Sequence, residues 1–413
     1  MNCAINQKGY VVLVITFFIL IIILSVALTM SSLVALGQKT ATNAVKSTQS
    51  YYAAESGVED ALLILRDYPQ ISSASYVLNV NGVATSVVIP TVIGGARTIT
   101  SQGNNNNIIR KIQTVYSVDS EAVNFYYGIE VGEGGLVMNN GSEVNGNVFS
   151  NGNISGSGTI ENNAIVSGNG HSIQGVRIEG NAIAYSCNNA TIDGNLTYVT
   201  GGSNSCAVHG TTSTQSQEIA QQPLPIPQSQ IDAWKSEATA VRVITGNVTL
   251  SNNQTRILGP VKITGSLTLG NRSTLILTGT IYVQGNINLN NNDVVKLDSS
   301  YGSLGGIIIA DGIINTGTGN IFSGSGQTGS YLLFISTSAS DSAITVSNNS
   351  AGAVFYTTVG GIQLPNNVSV LEAAGYKLIL GNNAEIQSSS GIVNIFFSSG
   401  PAAGWKVTSW SEQ

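Results

Sequence analysis

Charge is what this sequence has least of. Only 9% of its 413 residues are Asp, Glu, Lys or Arg, and Lys plus Arg number 16 against 22 Asp plus Glu, giving a formal net charge of −6. A chain that grips nucleic acid carries a basic surplus, so no nucleic-acid partner is expected. Aromatic residues are 7%, prolines number 8, histidines 2 and cysteines 3. What fills the space is Gly (47) and Asn (42). That is too much Gly and Asn for a helical bundle, and the frequent Ile and Val exclude a disordered tail. The length allows two to three domains with a sizeable core. The composition is that of turn-rich β-structure with an apolar segment attached.

That segment is N-terminal. Tyr10 to Met30 contains no formal charge, and apolar character continues to about Leu36. Roughly 20 such residues cross a hydrocarbon core as a helix. A secretory signal is the alternative, but its apolar core is usually about 7–15 residues and ends at a small-x-small site. Here the first such exit, Ala35-Leu36-Gly37, follows a longer run. Lys8 on one flank faces Lys39 and Lys46 on the other, so charge alone does not orient the span. Apolar residues then recur at three- and four-residue steps from Gln38 to Arg66 (Val45, Tyr51, Tyr52, Val58, Leu62, Leu65), up to the stop at Pro69. A single helix from Tyr10 to Arg66 would be about 85 Å long, with Gly37 and Gly57 as points where it could bend.

Two motifs in this region carry a resemblance. The leader Met1-Asn2-Cys3-Ala4-Ile5-Asn6-Gln7-Lys8-Gly9 ends in Lys-Gly directly before the apolar run, which resembles a prepilin peptidase site cut between Gly9 and Tyr10. The stretch Tyr51-Tyr52-Ala53-Ala54-Glu55-Ser56-Gly57-Val58 resembles the stalk motif of PilX-type minor pilins. The likeness covers about the first 68 residues. It implies an N-terminus-in membrane helix and subunit packing through Val14, Tyr51, Tyr52, Ala54, Glu55 and Val58; Glu55 reads by itself as an exposed helix carboxylate and, by the resemblance, as a subunit contact or a bond to the covering sheet. Major pilins carry a Glu five residues after the cut, where this chain has Val14. In that family the carboxylate neutralises the amine of the subunit added before, since an unpaired buried charge is costly. Val14 therefore fits a subunit that starts a filament, or a tethered protein that never polymerises.

Beyond the stalk, Ser75 to Val118 alternates as half-buried strands, with Asn81-Gly82 as a hairpin turn. From about Phe125 the texture changes to repeats. Gly246-Asn247-Val248-Thr249-Leu250, Gly265-Ser266-Leu267-Thr268-Leu269 and Gly285-Asn286-Ile287-Asn288-Leu289 start 19 and 20 residues apart, each followed by an Asn-rich turn. Looser Gly-Asn turns run from Gly146-Asn147 to Gly194-Asn195. Short strands with Gly or Asn corners at this period describe the coils of a parallel β-helix, preferred over a jelly roll or a propeller because the repeats are shorter than a blade. Asn at equivalent corners is expected to stack and exchange amide hydrogen bonds. A Ser/Thr/Gln/Pro-rich excursion near residues 201–240 ends in a short helix, Ser229 to Ala240, expected to begin at Ser229 or Gln230 and to lie across the side of the rod. The segment from Pro401 to Glu412 reads as a cap on the solenoid's open end.

Chemistry-bearing residues are thin. Cys3 would leave with the leader, and Cys187 with Cys206 reads as a disulfide outside the membrane. No histidine sits at ligand spacing to them, so neither metal nor cofactor is expected. Asp193, Asp298, Asp311 and Asp341 read as isolated acids, and His209 and His171 as lacking partners. Polysaccharide-cleaving β-helices need clustered carboxylates, so an enzyme is not expected.

The fold expected is mainly β with a long N-terminal helix: leader 1–9, membrane helix 10–36, amphipathic stalk 37–68, small sheet 69–122, and a single-stranded parallel β-helix over 123–413. The function expected is that of a minor-pilin-like component of a type IV pilus, in assembly initiation, tip display or adhesion. Its partners would be other pilins, prepilin peptidase and the inner membrane, with a glycan or surface ligand on the wet Asn/Thr/Ser face. The head would lie outside the membrane and reach the cell surface after assembly. The alternatives are a membrane-tethered β-helix enzyme acting on polysaccharide and a static surface adhesin.

Overall fold

The computed structural model describes residues 7–67, 71, 73–90, 96–118, 120–123, 127–387, 395–398 and 405–413. The leader expected before Tyr10 lies largely outside them, since residues 1–6 are not among the described residues. The architecture is mainly β: a long N-terminal helix, a small antiparallel sheet and a large parallel β-solenoid. The chain divides into two compact units. The first holds residues 1–90, 98–115 and 409–413, and the second holds 91–97 and 116–408.

In the first unit, helix α1 (Gln7–Asp67) runs without interruption for 61 residues, about 90 Å. Strands β1 (Ala74–Val80), β2 (Val83–Ile89), β3 (Ala96–Asn105) and β4 (Ile108–Val118) follow. Asn81 and Gly82 both take positive φ (49° and 84°), the pattern of the tight hairpin turn read from the sequence. Gly57 does not bend the helix. A Cβ there would collide with Ser101 on β3, and a Cβ at Gly103 would collide with the Ser50 carbonyl, so both glycines let sheet and helix backbones close together. Ser50 fixes the level of the hairpin, its hydroxyl donating to Ile108 O (2.7 Å) and accepting from Asn105 N (3.2 Å).

The C-terminal strand Trp405–Glu412 is the fifth strand of this sheet, beside β4, and Arg110 pairs with Glu412 at 2.9 Å. This corrects the reading of that segment as a solenoid cap. Its backbone groups are met by the open edge of β4, which a cap would have left unpaired.

The second unit is built from strands of two to five residues for the most part, stacked in parallel register, as in Leu267 on Ile287 and Ile287 on Ile314. One sheet of 22 strands among the described residues forms two walls, and strands such as Thr255–Leu258, Thr274–Leu277 and Val294–Leu297 form part of a third. Bridges at Ala351 tie that part to the row containing Ser369, Glu385 and Glu143. Inward Leu250, Leu269, Leu289 and their counterparts are buried in one continuous core. Within it Phe334 and Phe355 stack at 5.5 Å, with Phe322 edge-on to both. Asn253, Arg272, Asn292, Asn349, Asn367 and Asn383 share left-handed angles (φ 56° to 61°) at equivalent turns, with Gly319 (φ 74°) at the turn between Asn292 and Asn349, and Asn tolerates such angles better than branched residues do.

The coils do not follow chain order. After β5 (Ser120–Val123), strand β6 (Ile129–Met138) enters the middle of the stack, and coils run from it outward to Thr212–Gln215. The chain then travels to the opposite end, restarts at Val243–Ile244 and coils back until β7 (Glu372–Leu380) pairs in parallel with β6. Strand β8 (Ile395–Ser398) pairs antiparallel with β5 as the chain leaves. The solenoid is therefore two coil stacks joined at an internal seam.

The excursion expected to cross the rod runs lengthwise instead. It touches the coils in turn: Gly168 N donates to Ile219 O (3.0 Å), Gln222 N to Asn151 Oδ1 (3.0 Å), Tyr356 OH to Ile226 O (2.7 Å) and Lys235 Nζ to Asp311 Oδ1 (2.6 Å). Its helix α2 (Gln228–Val241) is preceded by Pro227, which makes no side-chain cap, so the expected start at Ser229 or Gln230 is one or two residues late. Ile231, Trp234 and Ala238 seat it on Tyr282, Ile307, Ile309, Leu333 and Ile335.

Candidate functional site

Two surfaces have the makings of function: the bare part of α1 and the outer walls of the solenoid. Along the first half of α1 the apolar side chains are exposed, with Tyr10 at 72% and Leu28 at 64%. Val14, expected at the filament contact, is half-buried among its helical neighbours. Hydroxyls that would be costly in lipid fold back onto helix carbonyls: Thr16 to Leu13 O (2.9 Å), Ser25 to Ile22 O (2.8 Å), Thr29 to Ser25 O (2.7 Å) and Ser32 to Thr29 O (2.8 Å). With a mean hydropathy of 3.4 over its most apolar 18 residues, this helix is long and apolar enough to cross a membrane.

The second half divides by face. Ala54 and Val58, expected to pack against a sister subunit, are 0% exposed and buried with Ile112 of β4 inside their own unit. The stripe read from the sequence is thus largely used internally, because the sheet covers it. Tyr51 and Glu55 are half-buried, and Tyr52 is 60% exposed, its ring edge-on to Tyr51 at 5.7 Å. With Val45 and Leu63, Tyr52 is part of the apolar surface this half leaves uncovered. Asp60 accepts a 2.7 Å hydrogen bond from Tyr76 OH on β1, and burial, this bond and the Asp60 charge raise the Tyr76 pKa.

On the solenoid the Asn corners form ladders. Asn252 Oδ1 accepts from Asn271 N (3.0 Å), Asn271 Oδ1 from Asn291 N (3.0 Å) and Asn291 Oδ1 from Thr318 N (2.9 Å). A second ladder runs Asn147, Asn163, Asn181, Asn195 and Thr211 through bonds of 2.8–3.1 Å. Each side-chain oxygen takes the backbone N–H of the following coil, so corner groups that no strand can pair are satisfied. Cys187 and Cys206 form a disulfide, with Cα atoms 5.7 Å apart, which ties two neighbouring coils.

Asp193 is not isolated. Arg177 donates to its Oδ2 (2.9 and 2.7 Å) and His209 Nδ1 lies 2.9 Å from its Oδ1. The hydrogen bond from Arg177, then the charges of Arg177 and His209, hold its carboxyl below the usual carboxylate value. His209 follows Asp193 by one 16-residue coil, whereas Arg177 lies in the preceding coil opposite Thr191, 14 residues on, and reaches Asp193 diagonally. Asp311 is likewise partnered, accepting from Lys235, Tyr282 OH (2.6 Å) and Thr337 Oγ1 (3.0 Å) beside a cleft of about 520 Å³ that Asp232, Ser236 and Thr239 help to line. Burial pushes the Tyr282 hydroxyl up to about 12, helped by Asp311. Among the described residues, no group of three or more His, Cys, Asp or Glu side chains is arranged to hold a metal ion.

No protein-family model and no curated protein matches this chain. Among solved structures, a competence-associated pilin, ComZ from Thermus thermophilus, is similar at 10% identity over 89% of this chain and 98% of its own, with a TM-score of 0.27. An ice-binding protein from an Antarctic bacterium of the Flavobacteriaceae is similar at 12% identity over 64% of this chain and 80% of its own, with a TM-score of 0.19.

Proposed function

We propose that the protein is a minor-pilin-like component of a type IV pilus or related filament, acting in initiation or tip display by packing and presentation rather than by catalysis. The reading rests on one observation: a bare apolar helix continues, unbroken, into a stalk sheathed on one face by its own sheet and uncovered at Val45, Tyr52 and Leu63. Such a helix suits lipid before assembly and sister helices after it. Val14 supplies no carboxylate to neutralise a preceding subunit's amine, which favours a first or tip position. The solenoid, with its Asn, Thr and Ser corners, is the surface offered outward, and a glycan is the ligand class those groups suit.

The test is co-expression with a prepilin peptidase, followed by intact-mass analysis and photocrosslinking from position 52. Loss of residues 1–9, a new N-terminus at Tyr10 and crosslinks to other pilins are expected. Retention of Met1 with no crosslink refutes the proposal, and Met1 retained on a surface-exposed chain would leave the static adhesin. A tethered polysaccharide-acting enzyme is the second reading, favoured by the hydrogen-bonded carboxyls of Glu143 and Glu161 on the outer wall. Release of reducing sugar that disappears in Glu143→Gln would establish it.

A further inference from the structure

The seam between the two coil stacks sets acid against acid on two walls. On one wall β7 pairs with β6, and Glu372 lies on the same outward face as Ala374, whose partner across the seam is Glu130. Glu372 is 0% exposed and both its carboxylate oxygens lack a hydrogen-bond partner. The groups facing it are Glu130 on β6, 8% exposed and reached by Tyr127 N at 3.4 Å, and the apolar Val354 in the adjoining coil. One position along that coil from Val354's neighbour Phe355, the Tyr356 hydroxyl is spent on Ile226 O of the excursion. On the third wall Glu385 is placed directly opposite Glu143, with Glu161 bonded to Glu143 and Asn145 Nδ2 donating to Glu385 Oε1 (2.9 Å).

Like charges directly opposite across a parallel or antiparallel pair oppose pairing, and a buried carboxylate without donors is tolerated only when protonated. At the next ladders outward Glu372 meets the apolar Val354, while on the third wall the acid row continues past Thr159, the partner of Glu143, to Glu161 in the same coil. The two stacks are otherwise joined by backbone pairing through the Gly-rich β6 and by the excursion that passes beside both.

We propose that the seam is a proton-operated latch: closed while Glu372 and Glu143 hold protons, and loosened as they lose them, so that the two coil stacks part at β6 and β7. Burial, then the charge of Glu130, raises the Glu372 pKa well above an ordinary glutamate, and the bond to Glu161, burial and the charges of Glu161 and Glu385 raise that of Glu143. The sign follows: acids bound more tightly to their protons in the folded state confer stability that is complete below the ordinary glutamate value and is lost as pH climbs toward the raised values.

Hydrogen exchange of the full chain in detergent micelles between pH 5 and pH 8, corrected for intrinsic exchange, reads the latch. Protection of the β6 and β7 amides should fall about tenfold per pH unit above the ordinary glutamate value until the raised values are passed, while that of Leu267 and Ile287 stays constant. Glu372→Gln should remove most of the fall. Should that variant not fold, Glu130→Gln takes its place and should reduce the fall, since it removes the facing charge. Seam protection independent of pH in the native chain, or an undiminished fall in the variant that folds, overturns the proposal.

Discussion

Trp234→Ala should free the excursion from the solenoid without unfolding the coils. Helix α2 has 14 residues and no side-chain cap at Pro227, and a helix of that length is marginal on its own in water. Its stability must come from the face it buries, Ile231, Trp234 and Ala238, of which Trp234 is the largest at 2% exposed. Truncating a buried Trp costs about 3–5 kcal/mol, so the opening equilibrium of the helix should rise roughly 10²–10⁴-fold. Hydrogen exchange over 228–241 measures it directly, with the exposed Ser236→Ala as a control expected within about 0.5 kcal/mol of the native chain. The ladder amides of Leu267 and Ile287 should keep their protection. If they lose it in step with the helix, or the helix does not respond, the excursion is not a separately stabilised element and the reasoning fails.

Reducing the Cys187–Cys206 disulfide, or replacing both residues by Ser, should cost about 3 kcal/mol in the chain-entropy view for a 19-residue separation, seen as a lower melting temperature for the outer coils of that stack. Asn271→Ala removes the acceptor for Asn291 N and should cost about 1 kcal/mol by denaturant titration, whereas Asn271→Asp, which keeps an acceptor, should cost less. The Asp193 carboxyl titrates below its ordinary value, so its contribution is present above that value and is lost as pH falls through the depressed one. Arg177→Ala should move the titration upward, followed by carbon NMR of the carboxyl, and an unmoved titration would show that the 2.7 Å contact does not persist in solution.

Periodicity made the coils legible, because Gly246, Gly265 and Gly285 mark a repeat that only stacked turns need. The seam left no such trace. β6 and β7 lie some 240 residues apart and pair through backbone groups that every residue carries. The Pro401–Glu412 segment, with Trp405 and Trp410, does not reveal its destination in sequence, since the edge of β4 and the end of a solenoid present the same unpaired groups to a strand. On α1 the stripe containing Ala54 and Val58 was evident, but helical spacing shows that a face is buried and not what covers it. The pairing of Asp193 does not show among the acids alone, because its partners are the unlike residues Arg177 and His209 in the coils on either side.

Because the chain enters and leaves the solenoid at the seam, neither outermost coil carries the backbone connection to the rest of the protein. A coil rod tethered by its last rung can be peeled one ladder at a time under tension. Here a tug on the two crossing segments reaches β6 and β7, interior rungs with a neighbour on each side, and must break ladders on both flanks at once.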